Sequence, residues 1–236
     1  MPLIIGVGLL MFQQFNGAIA VIFNCASIFS SAGFTDGKAV SITVAAVQFA
    51  ANIFTCLVVD RFGRRILLLV SSVMMCISQF GLGFYFELYL PPNDNGHPVN
   101  TSALPSVFPS IAHKIPSDQL SWLAITSLVM FNIFFGLAWG PLPWLVMSEI
   151  FPLRIRGPAS GGATLMAFLC AFLVTRTFSP LQDVLTPQGT YWFYGGLCLL
   201  AYIFVFLIVP ETKGRTLEEI ENYFEKKENS TYETIQ

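Results

Sequence analysis

Charge is scarce in this 236-residue chain: 11% of the residues are Asp, Glu, Lys or Arg, and the formal net charge is -2. An ordinary soluble domain carries about 25% charged residues, so that class is excluded. The near-neutral balance, with no basic stripe interleaved by stacking aromatics, excludes a nucleic-acid partner. Histidine is almost missing. His97 and His113 fall in one polar stretch, with no nucleophile or carboxylate at a spacing that suggests catalysis, so no enzyme is expected. The cysteines Cys25, Cys56, Cys76, Cys170 and Cys198 stand singly in apolar segments, without paired or metal-ligand spacing. They read as small packing residues, not as a disulfide framework or a metal centre. No glycine-rich phosphate cradle occurs, which leaves ATP coupling unsupported, and no cofactor is expected. No acidic residue lies midway along an apolar segment, so no proton carrier is evident.

What the chain has in abundance is apolar length. Hydrophobic residues make up 54% of it, with 23 Phe, and the mean hydropathy is +0.65. A helix crossing a hydrocarbon core of ~30 Å needs roughly 20 mostly apolar residues. Six such spans fit, at about 3–30, 39–59, 66–89, 121–147, 158–178 and 190–209. The first is no cleaved signal peptide: it lacks a basic leading region, runs too long and contains Gln13, Gln14 and Asn16. Within the fourth, Gly140-Pro141-Leu142-Pro143-Trp144 would wreck a soluble helix interior. In hydrocarbon each Pro leaves an upstream carbonyl that a neighbouring helix, a side chain or a water-filled cavity must satisfy. Broken helices of this kind line transport pathways.

Positive charge clusters at Arg61, Arg64 and Arg65, at Arg154 and Arg156, and at Lys213, Arg215, Lys226 and Lys227. The positive-inside rule predicts that these loops and the C-terminus are cytosolic. A six-span transmembrane bundle over 1–209 is therefore expected, with a cytosolic tail over 210–236. The longest opposite loop, about 91–119, is rich in Pro, Asn and Ser and should face outward. It contains the glycosylation acceptor Asn100-Thr101-Ser102, whereas Asn229-Ser230-Thr231 is expected to stay bare in the cytosol. In the tail, 217–224 could form a short amphipathic helix on the membrane surface. Tyr232-Glu233-Thr234-Ile235 fits the tyrosine-x-x-hydrophobic pattern that sorting adaptors read, although a disordered, unread tail explains it as well.

Three charged motifs sit at cytosolic helix ends: Asp60-Arg61-Phe62-Gly63-Arg64-Arg65, Ser148-Glu149-Ile150-Phe151-Pro152-Leu153-Arg154-Ile155-Arg156-Gly157 and Pro210-Glu211-Thr212-Lys213-Gly214-Arg215. Each mixes acids with arginines, a combination that latches helices in one conformation and releases them in another, or that simply anchors topology. Together with Gln13-Gln14-Phe15-Asn16-Gly17 and the Gly140 to Trp144 run, this ordered set resembles the sugar porter branch of the major facilitator superfamily. The match is to the C-terminal half of a facilitative glucose transporter, and the Trp139-Gly140-Pro141 variant looks most like the class III, intracellular type. The resemblance implies an all-α integral membrane fold, the second of two six-helix bundles, built as a 3+3 inverted repeat. The partner bundle, N-terminal in the family, would be supplied from outside these residues.

It also implies a sugar site at the midplane between the bundles. Gln13 and Gln14 match the paired glutamines that bond sugar hydroxyls. An amide offers donors and an acceptor, as a polyol does, without a buried charge. The residues alone allow a plainer role, hydrogen bonding between helices. Gln48 stands where relatives carry Asn or Gln. Trp144 matches the tryptophan that closes the lower side of the site, or is an interfacial belt residue. Phe168 can stack on a sugar face. Asp60, Arg64, Arg65, Glu149 and Arg156 are the expected gating ion pairs. Three positions depart from the pattern: Ile19 and Ala167 stand where relatives carry Asn, and Gly136 stands where well-studied members carry Glu. The loss of those polar partners predicts a less polar pocket, suited to another hexose or a disaccharide at least as well as to glucose. Passive facilitation by alternating access is the expected mechanism, in a plasma or an endosomal or lysosomal membrane. The alternative is a half-length, non-transporting isoform that docks on other membrane proteins, since Met1 opens almost directly onto the first span.

Overall fold

A computed structural model describes residues 2–18, 21, 37–88, 117–152, 156–214 and 219, and among them every regular element is helical. Asn100 with most of the outer loop, Ile19, Arg154, and Tyr232 to Ile235 lie outside the described residues, as does all of the 217–224 segment except Glu219. The elements are α1 (Pro2–Phe15), α2 (Gly37–Phe62), α3 (Arg64–Leu88), α4 (Ser117–Phe134), a π-helical turn (Phe135–Trp139), α5 (Leu142–Ile150) and α6 (Arg156–Ile208).

Local chemistry sets the boundaries. α1 ends at Phe15, inside the span expected over 3–30, because Gly17 takes φ 79, a conformation that L side chains avoid, and the Tyr194 ring sits where a side chain would go. Asn16 Oδ1 accepts from the Ala18 backbone N–H at 3.1 Å, so the amide side chain covers the donor that the break exposes. Between α2 and α3 the whole turn is Gly63, at φ 90. The 53-residue α6 is two helices fused end to end: Thr186 has φ 66 and ψ 161, and Pro187 follows it. Pro at the first position of the second arm is well placed, since its missing N–H has no intrahelical acceptor to lose there.

The two arms, 156–185 and 187–208, run antiparallel. Moving along α1 from Leu10 to Phe15, the neighbours in the first arm change from Ala159, Ala163 and Ala167 to Val174 and Phe178. From Gly8 to Gly17, the neighbours in the second arm change from Phe204 back to Tyr194. α3 lies against the second arm in the opposite sense, with Arg65 beside Phe206 at one end and Gly83 beside Trp192 at the other. At Gly8 and Gly83 a methyl group would overlap these aromatic rings, so small residues permit the close helix approach that packing in lipid relies on.

Four stretches are long and apolar enough to cross a membrane: Ile42–Phe62, Arg64–Leu88, Trp122–Ile150 and Arg156–Ile208. Dividing the last at Thr186 and adding α1 gives six segments. The largest buried cluster runs from Ile5 and Leu9 of α1 through Leu68, Met75 and Leu82 of α3 to Leu128, Phe131 and Trp139 of the fourth segment. Outward, α2 presents Ile42, Phe49, Phe54 and Leu57, and α6 presents Leu165, Phe168 and Phe172, each more than half exposed. An apolar exterior around a helical core is the arrangement a bilayer selects.

Candidate functional site

The break in the fourth segment organises the site. Pro141 and Pro143 have no N–H, so the carbonyls four residues back, Leu137 O and Trp139 O, lose their helical donors. Gly140 N–H donates to Phe135 O at 2.7 Å, the longer reach of a π turn, which strips Gly136 O of its usual partner as well. Side chains of neighbouring helices replace what is lost. Gln13 Nε2 of α1 lies 2.7 Å from both Trp139 O and Gly140 O. Thr55 Oγ1 of α2 lies 2.7 Å from Leu137 O and 3.3 Å from Gly136 O. Trp139 Nε1 donates to Ser72 Oγ of α3 at 2.9 Å, and that hydroxyl donates to Leu68 O at 2.7 Å. The broken segment is thus tied to three helices.

Depth follows from helix rise. Gly140 stands ten residues before Ile150, and Gln13 eleven after Pro2, so at ~1.5 Å per residue both lie about 15 Å from the charged end. That is half of a ~30 Å hydrocarbon core. Gln13 is buried, and its Oε1 accepts from Gln14 Nε2 at 3.3 Å, so the paired glutamines form a relay into the break. The α1 break is closed in the same manner: Gln79 Nε2 donates to Asn16 O at 3.2 Å and the Cys198 thiol to the same oxygen at 3.8 Å.

The remaining expected site residues are dispersed around this core. Gln48 is half-buried, and its backbone carbonyl and Cγ close on Gly136, so a side chain at 136 would meet them. Trp144 is half-buried against the seam formed by Leu10, Met147, Phe151 and Ala163. Phe168 is exposed, and it faces away from that seam, while its neighbour Ala167 lies inside it at 2% exposure. Ala167 therefore packs α6 against α1.

At the charged end, Arg64 bonds Asp60 at 3.2 Å and Glu149 at 3.1 Å, and Thr212 Oγ1 donates to the other Glu149 oxygen at 2.7 Å. Arg65 turns instead to the Phe206 carbonyl, with its guanidinium 5.8 Å from that ring's centre. Arg156 makes no ion pair among the described residues. The organising carboxylate is Glu211: its two oxygens accept from the Arg64 and Arg65 backbone N–H groups at 3.1 and 3.2 Å, capping α3. Sequence reasoning quoted Glu211 within its motif without assigning this cap, and it passed over Thr55 and Ser72. Their only signal was a hydroxyl placed in hydrocarbon, where it must find an acceptor.

Comparison with known proteins shows the family and the fold. The family model described as "Sugar (and other) transporter" matches residues 1–224. The mouse solute carrier family 2, facilitated glucose transporter member 8 is 42% identical over 225 residues, which is 95% of this chain and 46% of the relative. The facilitated trehalose transporter Tret1 of Drosophila pseudoobscura pseudoobscura is 41% identical over 93% of this chain and 23% of its own length. Among solved structures, a double Trp mutant of XylE superposes with a TM-score of 0.75 at 31% identity, covering 94% of this chain and 42% of that one. The inward-open xylose transporter XylE from E. coli gives 0.70 at 30% identity over 94% and 41%. The chain spans about half the length of the glucose transporter relatives it matches, 46% of each.

Proposed function

The chain belongs to the sugar transporter family, as the C-terminal half of a sugar porter with the major facilitator fold, and from that premise we propose that it supplies the sugar-contacting half of a facilitative carrier for a hexose or a disaccharide. It is a multi-pass integral membrane protein. The observation that carries the proposal is Gln13, a buried amide at mid-membrane depth bonded to the bare carbonyls of a broken helix, with Gln14 behind it. An amide that bonds two carbonyl oxygens can transfer the same N–H groups to sugar hydroxyl oxygens, at similar geometry and without moving a charge. Trp144 closes the site from the charged side, and Gln48 faces it from α2. Sugar then binds at the midplane, and the two bundles rock about it to alternate access.

In this reading the charged end is cytosolic, Asp60, Arg64, Arg65, Glu149 and Arg156 form its gate, Asn100 carries an outer glycan, and Tyr232 to Ile235 addresses the protein to endosomal or lysosomal membranes. The relatives named for glucose and trehalose support a sugar of one or two rings. The test is uptake of radiolabelled glucose and trehalose into vesicles holding this chain together with a six-helix N-terminal bundle, and into vesicles holding the chain alone. Saturable uptake with both bundles is expected. Uptake no faster than in empty vesicles in either preparation overturns the carrier reading and leaves the non-transporting partner.

A further inference from the structure

Gln13 of α1 and Thr55 of α2 both hold backbone carbonyls of the broken helix, and they differ in what letting go would cost. The Gln13 amide bonds two carbonyls of another helix, so its release strands two donors unless other oxygens take them. The Thr55 hydroxyl is placed differently. Besides Leu137 O at 2.7 Å, its Oγ1 lies 2.9 Å from Ala51 O, one turn back in its own helix. A hydroxyl has one proton and serves one acceptor at a time. The Ala51 carbonyl is held in reach by helix geometry whatever the neighbouring segment does.

We propose that Thr55 is a positioning residue for the broken helix, a two-position latch whose hydroxyl donates to Leu137 O when the Phe135–Trp139 turn is seated on α2 and falls back to Ala51 O when that turn lifts. For its purpose in transport this rests on the carrier reading above. The seat itself is built for close approach. Thr55 is 3% exposed, Ala51 is 7% exposed, and a side chain at Gly136 would meet Gln48 and Ala51 of α2, so glycine lets the turn sit close enough for the hydroxyl to lie 3.3 Å from Gly136 O. Release costs Thr55 nothing, and the cost falls on Leu137 O and Gly136 O, whose N–H partners are missing because of Pro141 and the π turn. The latch therefore favours the seated position by about one hydrogen bond without locking it. A conformational equilibrium that must turn over needs a bias of that size.

Amide hydrogen exchange of the full chain in lipid nanodiscs, without sugar, tests the latch. Thr55→Val keeps the shape and deletes the proton. Exchange of the 135–145 segment, which includes the Gly140 N–H bonded to Phe135 O and the Leu145 N–H bonded to Pro141 O, is expected to speed up about three- to tenfold. Segments in 64–88 and 187–208 should keep their wild-type rates, and Thr55→Ser should restore the 135–145 rate. Unchanged exchange in Thr55→Val, acceleration spread evenly over the bundle, or failure of Ser to rescue would each overturn the proposal. If the Val variant does not reach the membrane, Thr55→Cys, similar in size and a weak donor, should exchange at an intermediate rate. A wild-type rate there overturns the proposal too. Because no sugar is present, absence of transport would sink the carrier reading without touching this result.

Discussion

Removing the Glu211 carboxylate should loosen the start of α3 by an amount that can be worked out in advance. Its two oxygens accept from the Arg64 and Arg65 N–H groups, donors with no partner inside the helix. A lost cap costs about 0.5–2 kcal/mol, and a negative charge at a helix N-terminus adds about 0.3–1 kcal/mol. Glu211 is partly exposed, so water recovers some of this, and Glu211→Ala should destabilise the bundle by about 1–2 kcal/mol. Glu211→Gln keeps one acceptor oxygen and no charge, and should cost roughly half as much. The assay is reversible unfolding in mixed micelles with rising detergent denaturant, followed by tryptophan fluorescence. A double-mutant cycle with Gly63→Ala sharpens it. A methyl group at Gly63 meets the Glu211 carboxylate and is strained at φ 90. Once the carboxylate is gone only the backbone strain remains, so the double variant should lose less than the sum of the singles. Strict additivity, or a Glu211→Ala variant as stable as wild type, refutes the capping role.

In a complete carrier, Gln13→Ala should abolish or greatly weaken sugar uptake at normal membrane levels, measured as initial rates against surface or organelle abundance; unchanged uptake would remove Gln13 from the site. Ala167→Asn buries an amide in an apolar seam and should cost about 1–3 kcal/mol in the same unfolding assay, with no gain in glucose affinity. Tighter glucose binding in that variant would show that position 167 faces the sugar after all.

Much of this architecture was legible from composition and spacing. Gly140-Pro141-Leu142-Pro143 announces a broken helix because proline chemistry is local and needs no tertiary context. The partners of the freed carbonyls were not legible. Gln13 stands 126 and 127 residues along the chain from Trp139 O and Gly140 O, and Thr55 stands 82 from Leu137 O. Only the helix packing brings them there. Hydropathy leaves a gap between the fifth and sixth spans, at about 179–189. The helix runs through Pro180, Gln182 and Asp183 and reverses at Thr186, with Leu181 packed against Val174, Phe178 and Tyr194. The Arg64–Glu149 pair follows from charge pattern and topology. Glu211 as the cap of a distant helix does not, because a cap across 147 residues of sequence leaves no local trace.

The reversal at Thr186 also limits how this chain can vary. A single residue joins two antiparallel helices, so there is no slack to absorb a change in length. One added residue would rotate the second arm by about 100° and advance it ~1.5 Å. Tyr194 would leave the break in α1, Trp192 would leave Gly83, and Cys198 would leave the Asn16 carbonyl. Insertions that an ordinary surface loop accepts freely would here unseat three helix contacts at once. The same tether makes the neighbouring arm available at very high effective concentration as soon as both are in the bilayer, so the pair should fold as a hairpin before the rest of the bundle closes around it.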